Sequence, residues 1–164
     1  MTKSKKKNLT SFLNQQYLCE SLTLKEVETL LDYTEVVDFA KGDVIADKGE
    51  VGDALYFVIS GEAALIYDDN GREIEVGRMK EGELMGEMSF FDRQPRLLRM
   101  RAQQNDTELL KLTRKMYERV RVEHPYIAVN LLEHAIISLD HLVRRVSEDE
   151  ANLSRYIFGG PGKR

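Results

Sequence analysis

The spacing of apolar residues changes period twice along this chain, and nothing else in it limits the fold as tightly. Up to about Tyr33 the step is helical. Leu9, Phe12, Leu13, Tyr17 and Leu18 suggest a short helix, and Leu24, Val27, Leu30 and Leu31 a second one. Thr23, with Glu26 three residues later, has the form of a capping box that starts it. From Glu35 to Lys111 short runs rich in β-formers take over: V-V-D-F, D-V-I-A, A-L-Y-F-V-I-S, E-A-A-L-I-Y, R-E-I-E-V-G-R-M, L-L-R-M-R-A-Q and T-E-L-L-K-L. Gly, Asn and Asp separate them, and Asn70-Gly71 is the best hairpin signal, since both turn positions tolerate positive φ. Ile74 and Val76 alternate with Glu73 and Glu75, which predicts a strand with one wet face. From Thr113 the helical step returns. A helix carrying Met116, Tyr117 and Val120 breaks at His124-Pro125, and a long one follows.

That long helix bears two apolar rows. One is Val129, Leu132, Ile136, Leu139, Val143 and Val146; the other is Ile127, Leu131, Ala135 and Leu142. One row is enough to pack a helix on a sheet, and two imply a second surface, most simply another copy of the helix. The expected class is α+β, an antiparallel β barrel or jelly roll flanked by helices. Its divisions are a disordered basic arm over 1–8, helices over 9–34, the β region over 35–112, helices over 113–158 and a tail over 159–164.

The chemistry concentrates between Glu83 and Met100, E-L-M-G-E-M-S-F-F-D-R-Q-P-R-L-L-R-M. A glycine precedes a glutamate, a short apolar turn follows, and a Pro-Arg pair opens a new alternating segment. There Leu98, Met100 and Ala102 share one side, and by the same parity Arg96 joins them on the apolar side. A guanidinium at the mouth of an apolar layer is costly unless an anion meets it. A neighbouring carboxylate, Glu87 foremost, and a bound phosphate both satisfy that requirement.

Several classes fall away. A net charge of −4 gives no broad excess of Lys and Arg to neutralise nucleic-acid phosphates. One cysteine, Cys19, excludes an internal disulfide or an all-cysteine metal site within the chain, and it reads as an inert packed thiol. No apolar run approaches the roughly 20 residues of a membrane span, and no signal-peptide apolar region opens the chain, so the expected location is the cytoplasm. The three histidines, His124, His134 and His141, all fall in the helical C-terminal part. His134 and His141 share a helix face, but two ligands without a third make a poor metal site, and no metal is expected. No nucleophile–base pairing stands out, so an enzyme is not expected.

At this point the chain resembles a cyclic nucleotide-binding domain, the module of catabolite-activator-type regulators and of the protein kinase A regulatory subunit. The resemblance covers roughly residues 12–146 and rests on two motifs in order: G-E-V-G-D-A-L-Y-F-V-I-S-G-E over 49–62, and M-G-E-M-S-F-F-D-R-Q-P-R over 85–96, similar to the family's phosphate-binding cassette. It implies a jelly roll of the double-stranded β-helix type and a regulatory, signal-transducing role. It implies that Glu87 accepts from a ribose 2′-hydroxyl and that Arg96 pairs with an exocyclic phosphate oxygen. Gly86, the turn at Met88 and Ser89, and the amide of Leu97 would supply close backbone approach and further donors. Leu139, Leu142 and Val143 would form an apolar lid on the base side. The ligand would be cAMP ahead of cGMP, with no other cofactor, and partners would be a second copy of the chain through the long helix and possible downstream proteins. Family members that read DNA need on the order of 60 further residues for a helix-turn-helix; fewer than 20 follow Val146, so direct DNA binding is not expected.

The chain departs from the family at Leu97-Leu98, where two small residues are usual. Leu97 has no hydroxyl for a phosphate, and Leu98, inward by parity, takes up space beside the site. The same residues therefore also describe another arrangement: Glu87 and Arg96 pair with each other, Leu98 fills the hollow, and the domain is a ligand-free interaction or dimerisation module.

Overall fold

The structure, a computed structural model, describes residues 1–158. Helix α1 (Lys3–Asn14) and a 3-10 turn at Tyr17–Cys19 lead into α2 (Leu24–Asp32). Thr23 and Glu26 form the expected capping box at the start of α2. The segment 1–8, expected to be a disordered arm, is instead helical from Lys3. Thr2 caps it by accepting from the Lys5 amide, and Lys5 and Lys6 reach Glu108 at 3.0 Å and Asp32 at 2.5 Å. With its first turn capped and two lysines paired to acids of the folded body, the segment continues α1 instead of fraying, while those lysines stay at the surface.

Eight strands follow: β1 (Glu35–Phe39), β2 (Val44–Ala46), β3 (Ala54–Ser60), β4 (Ala63–Asp69), β5 (Arg72–Met79), β6 (Leu84–Met85), β7 (Arg99–Ala102) and β8 (Thr107–Thr113). They form two antiparallel four-stranded sheets, β1-β8-β3-β6 and β2-β7-β4-β5, that face each other as an open jelly-roll sandwich and do not close into one barrel. Strand β3 explains the long apolar run. Ala54, Tyr56 and Val58 turn between the sheets with Met85, Met100, Ala102 and Leu109, while Leu55, Phe57 and Ile59 turn toward the helices. Both of its faces are buried, so no polar residue alternates.

The Asn70-Gly71 turn joins β4 to β5, with φ of 51° and 92°. Strand β5 differs from expectation: Ile74 and Val76 are exposed, because nothing covers either face of this outer strand from Arg72 to Val76. Strand β7 begins at Arg99, two residues after the alternating segment was expected to start, with Leu97 and Leu98 in a bend before it.

A short helix α3 (Glu87–Asp92) lies between β6 and β7, and after β8 come α4 (Arg114–Glu123) and α5 (Pro125–Phe158). Thr113 caps α4 through the Met116 amide, and Pro125 opens α5. The inner row of α5, Ile127, Leu131 and Ala135, packs into the helical core with α1, α2 and the outer face of β3. The outer row, Val129, Leu132, Ile136 and Val143, is exposed. The side chains of Leu142 and Val146 and the tail 159–164 lie outside the described residues.

Candidate functional site: an arginine enclosed beside a left-handed turn

The site is built where β6 ends and the chain must reverse. Gly86 takes φ 87°, a left-handed conformation, and caps the start of α3. A Cβ there would sit 3.4 Å from both the Ala54 carbonyl oxygen and Arg96 Nη1, so glycine also lets the guanidinium come close. Phe90 pins α3 in place. It is fully buried in the helical core, with edge-on contacts to Phe91 at 5.0 Å and to Tyr117 of α4 at 5.4 Å.

Arg96 arrives from the other side. Its amide donates to the Glu50 carbonyl and its carbonyl accepts from the Gly49 amide, both at 2.8 Å, while Pro95 bridges Val51. These bonds hold its backbone against the turn before β3 and aim the side chain inward. The residue is 9% exposed. Among the described residues no carboxylate lies within 4.0 Å of its guanidinium, and its one hydrogen bond is a long 3.5 Å contact from Nη1 to the Gly86 carbonyl. A buried cation with such thin partnership is what an anion site requires.

Glu87, the first residue of α3, is buried at 7% exposure. Its partner is not Arg96. Ser138 of α5 donates its hydroxyl to Glu87 Oε1 at 2.8 Å. Burial pushes the carboxyl above the ordinary glutamate range, and its own amide, the Ser138 hydroxyl and the more distant Arg96 charge all pull the other way. The ion pair between Glu87 and Arg96, required by the ligand-free arrangement, does not form.

The remaining expected residues divide. Met88 is exposed beside the turn, and Leu97, at 72% exposure, turns into solvent, leaving backbone as its means of contributing. The Ser89 side chain belongs to the scaffold: its hydroxyl accepts from the Gly52 amide at 2.7 Å and donates to the Gln94 carbonyl at 2.5 Å, so it has no proton left for a ligand. Leu98 and Leu139 are half-buried, and Val143 is exposed. His134 turns Nδ1 to the Asn130 carbonyl and Nε2 to the Tyr17 carbonyl, each at 2.8 Å, which draws it away from any pairing with His141. Among the described residues no cluster of His, Cys, Asp and Glu is placed to hold a metal ion. An apolar cavity of about 30 Å³ lies elsewhere, bounded by Leu13, Cys19, Leu30 and Leu84.

Three site residues were not singled out from sequence. A Cβ on Gly52 would meet the Phe90 amide nitrogen at 2.7 Å and Arg96 Nη2 at 3.0 Å, so this glycine lets the β2–β3 turn lie against the cassette. It falls inside the first family-like motif, which was the available signal. Arg114 Nη2 donates to the Gly52 and Phe90 carbonyls at 2.5 and 2.6 Å, with its guanidinium carbon 4.5 Å from the Phe90 ring centroid. It ties the turn and the cassette to α4. Ser138 carried no signal at all.

With that geometry in place, the profile of the cyclic nucleotide-binding domain family matches residues 36–124, more than half of the chain. The chain belongs to the cyclic nucleotide-binding domain family. A cAMP-dependent protein kinase regulatory subunit from Blastocladiella emersonii is 31% identical over 120 residues, 73% of this chain and 30% of that protein. The Thermus thermophilus catabolite activator protein superposes with a TM-score of 0.67 at 33% identity, covering 86% of this chain and 63% of that one. A cyclic nucleotide-binding domain from Methylobacillus flagellatus KT has the same fold, with a TM-score of 0.73, 22% identity and coverage of 98% and 86%. This cyclic nucleotide-binding domain spans less than a third of the length of the regulatory subunits it matches. The family is one of regulatory ligand-binding domains. No described helix is long and apolar enough to cross a membrane.

Proposed function

We propose that this chain is a stand-alone sensor whose Arg96 holds the phosphate of a cyclic nucleotide, cAMP ahead of cGMP, and whose α5 moves when the ligand binds. The observation that carries this reading is the enclosed Arg96 guanidinium with no acid within salt-bridge distance among the described residues. Glu87 sits at the start of the same cassette and accepts the ribose 2′-hydroxyl, and the first amides of α3 offer donors without intrahelical acceptors. The cAMP-dependent kinase subunits among its relatives favour cAMP. Leu139, Leu142 and Val143 cover the base once α5 has moved. The coupling is limited to the ligand's difference in affinity for the two helix positions.

The exposed row of α5 supports a homodimer. Val129, Ile136 and Val143 fall at one heptad position and Leu132 and Leu139 at the other, the pattern that favours a parallel pair of helices. A soluble, cytoplasmic regulator acting on a downstream protein follows from this reading.

A second reading, an interaction module without a ligand and without the Glu87–Arg96 pair, is favoured by one observation: Ser138 already donates to Glu87 Oε1. A melting scan separates the two. At 100 times its dissociation constant, cAMP should add about 2.7 kcal/mol of stability. No shift with millimolar cAMP or cGMP overturns the sensor and leaves the module.

A further inference from the structure

Helix α5 leaves the core at one residue. Its inner face runs through Ile127, Leu131 and Ala135, each nearly sealed from solvent, and Ser138 is the next position on that face. There the packing changes from apolar to polar, and the bond made is the one from Ser138 Oγ to Glu87 Oε1. Beyond it, the hydrogen bonds of the described residues stay within the helix, from Arg144 to Asp140 and from Ser147 to the Val143 carbonyl. Val143 is 61% exposed. Ser138 is thus the last described point at which hydrogen bonding fastens α5 to the cassette.

Glu87 is also the residue that a ribose hydroxyl must address. Glu87 is 7% exposed and its Oε1 already holds the Ser138 hydroxyl, so a second hydroxyl approaches the same buried carboxylate through little open space. From this geometry we infer that Ser138 is a positioning residue that competes with the ligand's 2′-hydroxyl for Glu87, so that a ribonucleotide unfastens α5 on binding and a 2′-deoxyribonucleotide does not. This rests on the cyclic nucleotide reading above and adds to it the contact through which the sugar is reported to the helix. The exchange swaps one hydroxyl donor for another on the same carboxylate. The ribo-ligand therefore loses part of the affinity its hydroxyl would otherwise supply, while an analogue without that hydroxyl leaves Ser138 where it is.

The test is calorimetric titration of wild type, Ser138→Ala and Ser138→Thr with cAMP and with 2′-deoxy-cAMP. Ser138→Ala should bind cAMP about threefold to tenfold more tightly than wild type, the net worth of an ordinary hydrogen bond. Its affinity for the 2′-deoxy analogue should be unchanged, and Ser138→Thr, which keeps the hydroxyl, should restore the wild-type ratio. Hydrogen exchange of residues 139–151 should change when wild type is saturated with cAMP, as α5 leaves Ser138's contact and takes its new position, and stay level with 2′-deoxy-cAMP. An equal change for both ligands, no change for either, or weaker cAMP binding by Ser138→Ala overturns the competition while leaving nucleotide binding intact. Failure of wild type to bind either ligand overturns the nucleotide reading, and the competition with it.

Discussion

Arg96 and Glu87 share one small volume and yet bond to different partners, which leaves each with a testable signature. Burial raises the Glu87 carboxyl above the ordinary glutamate range. The folded protein therefore keeps that proton over a range in which the unfolded chain has released it. Stability is fullest below the unfolded value and is lost as pH rises through the folded one. Glu87→Gln, which removes the buried charge and keeps an acceptor for Ser138, should make the ligand-free protein modestly more stable than wild type at neutral pH. The gain should vanish below about pH 4, where wild type is protonated in both states. Urea melts across that range check it, and a variant less stable at pH 7 than at pH 4 relative to wild type would show that burial is not the dominant effect. Cys19 makes a second case. It is fully buried, and burial pushes its thiol up to about 12. It should resist alkylation at pH 8 in the native state and react only as the protein unfolds, a difference read by mass spectrometry.

At the scale of elements, the cassette depends on three pieces of chain meeting: the turn before β3, α3, and the start of α4. Gly52→Ala would drive a Cβ into the Phe90 amide at 2.7 Å, and backbone cannot swing aside as a flexible side chain does. The expected cost is about 1–3 kcal/mol in urea unfolding, as for other overpacked sites. Loss of less than a few tenths would mean that the turn does not rest on α3. The elements themselves were largely legible beforehand. The Thr23–Glu26 box, the Thr113 cap, Pro125 and seven of the eight strands announced themselves because each rests on local chemistry or a period. Strand β6, with two residues, is too short to have a period. The start of α1 was missed because Lys5 and Lys6 find their acids far along the sequence. The same reason hid half of the site. Gly86, Glu87 and Arg96 stand within one motif, whereas the Ser138–Glu87 bond spans 51 positions and Arg114 reaches the Gly52 carbonyl across 62. Arg96 is buried as parity expected, but by another cause: β7 starts only at Arg99, and the backbone bonds of Arg96 to Gly49 and Glu50 set its direction.

At the scale of the whole molecule, α5 presents one face to the core and another to solvent. Ile136, at 65% exposure, lies mid-way along the outer row. Ile136→Glu should convert a dimer at tens of micromolar into a monomer in sedimentation while leaving the circular dichroism of the folded sandwich unchanged, because this side chain lies outside the packed core. An unchanged sedimentation coefficient from a wild-type dimer would place the interface elsewhere. The jelly roll and the helix row are both scaffolding around one guanidinium, and its role can be measured directly. Calorimetric titration with cAMP should give saturable binding to wild type, weakened at least tenfold by Arg96→Ala, the loss of one charge-assisted contact worth roughly 1.5–3 kcal/mol. Equal binding by the two proteins would contradict the account.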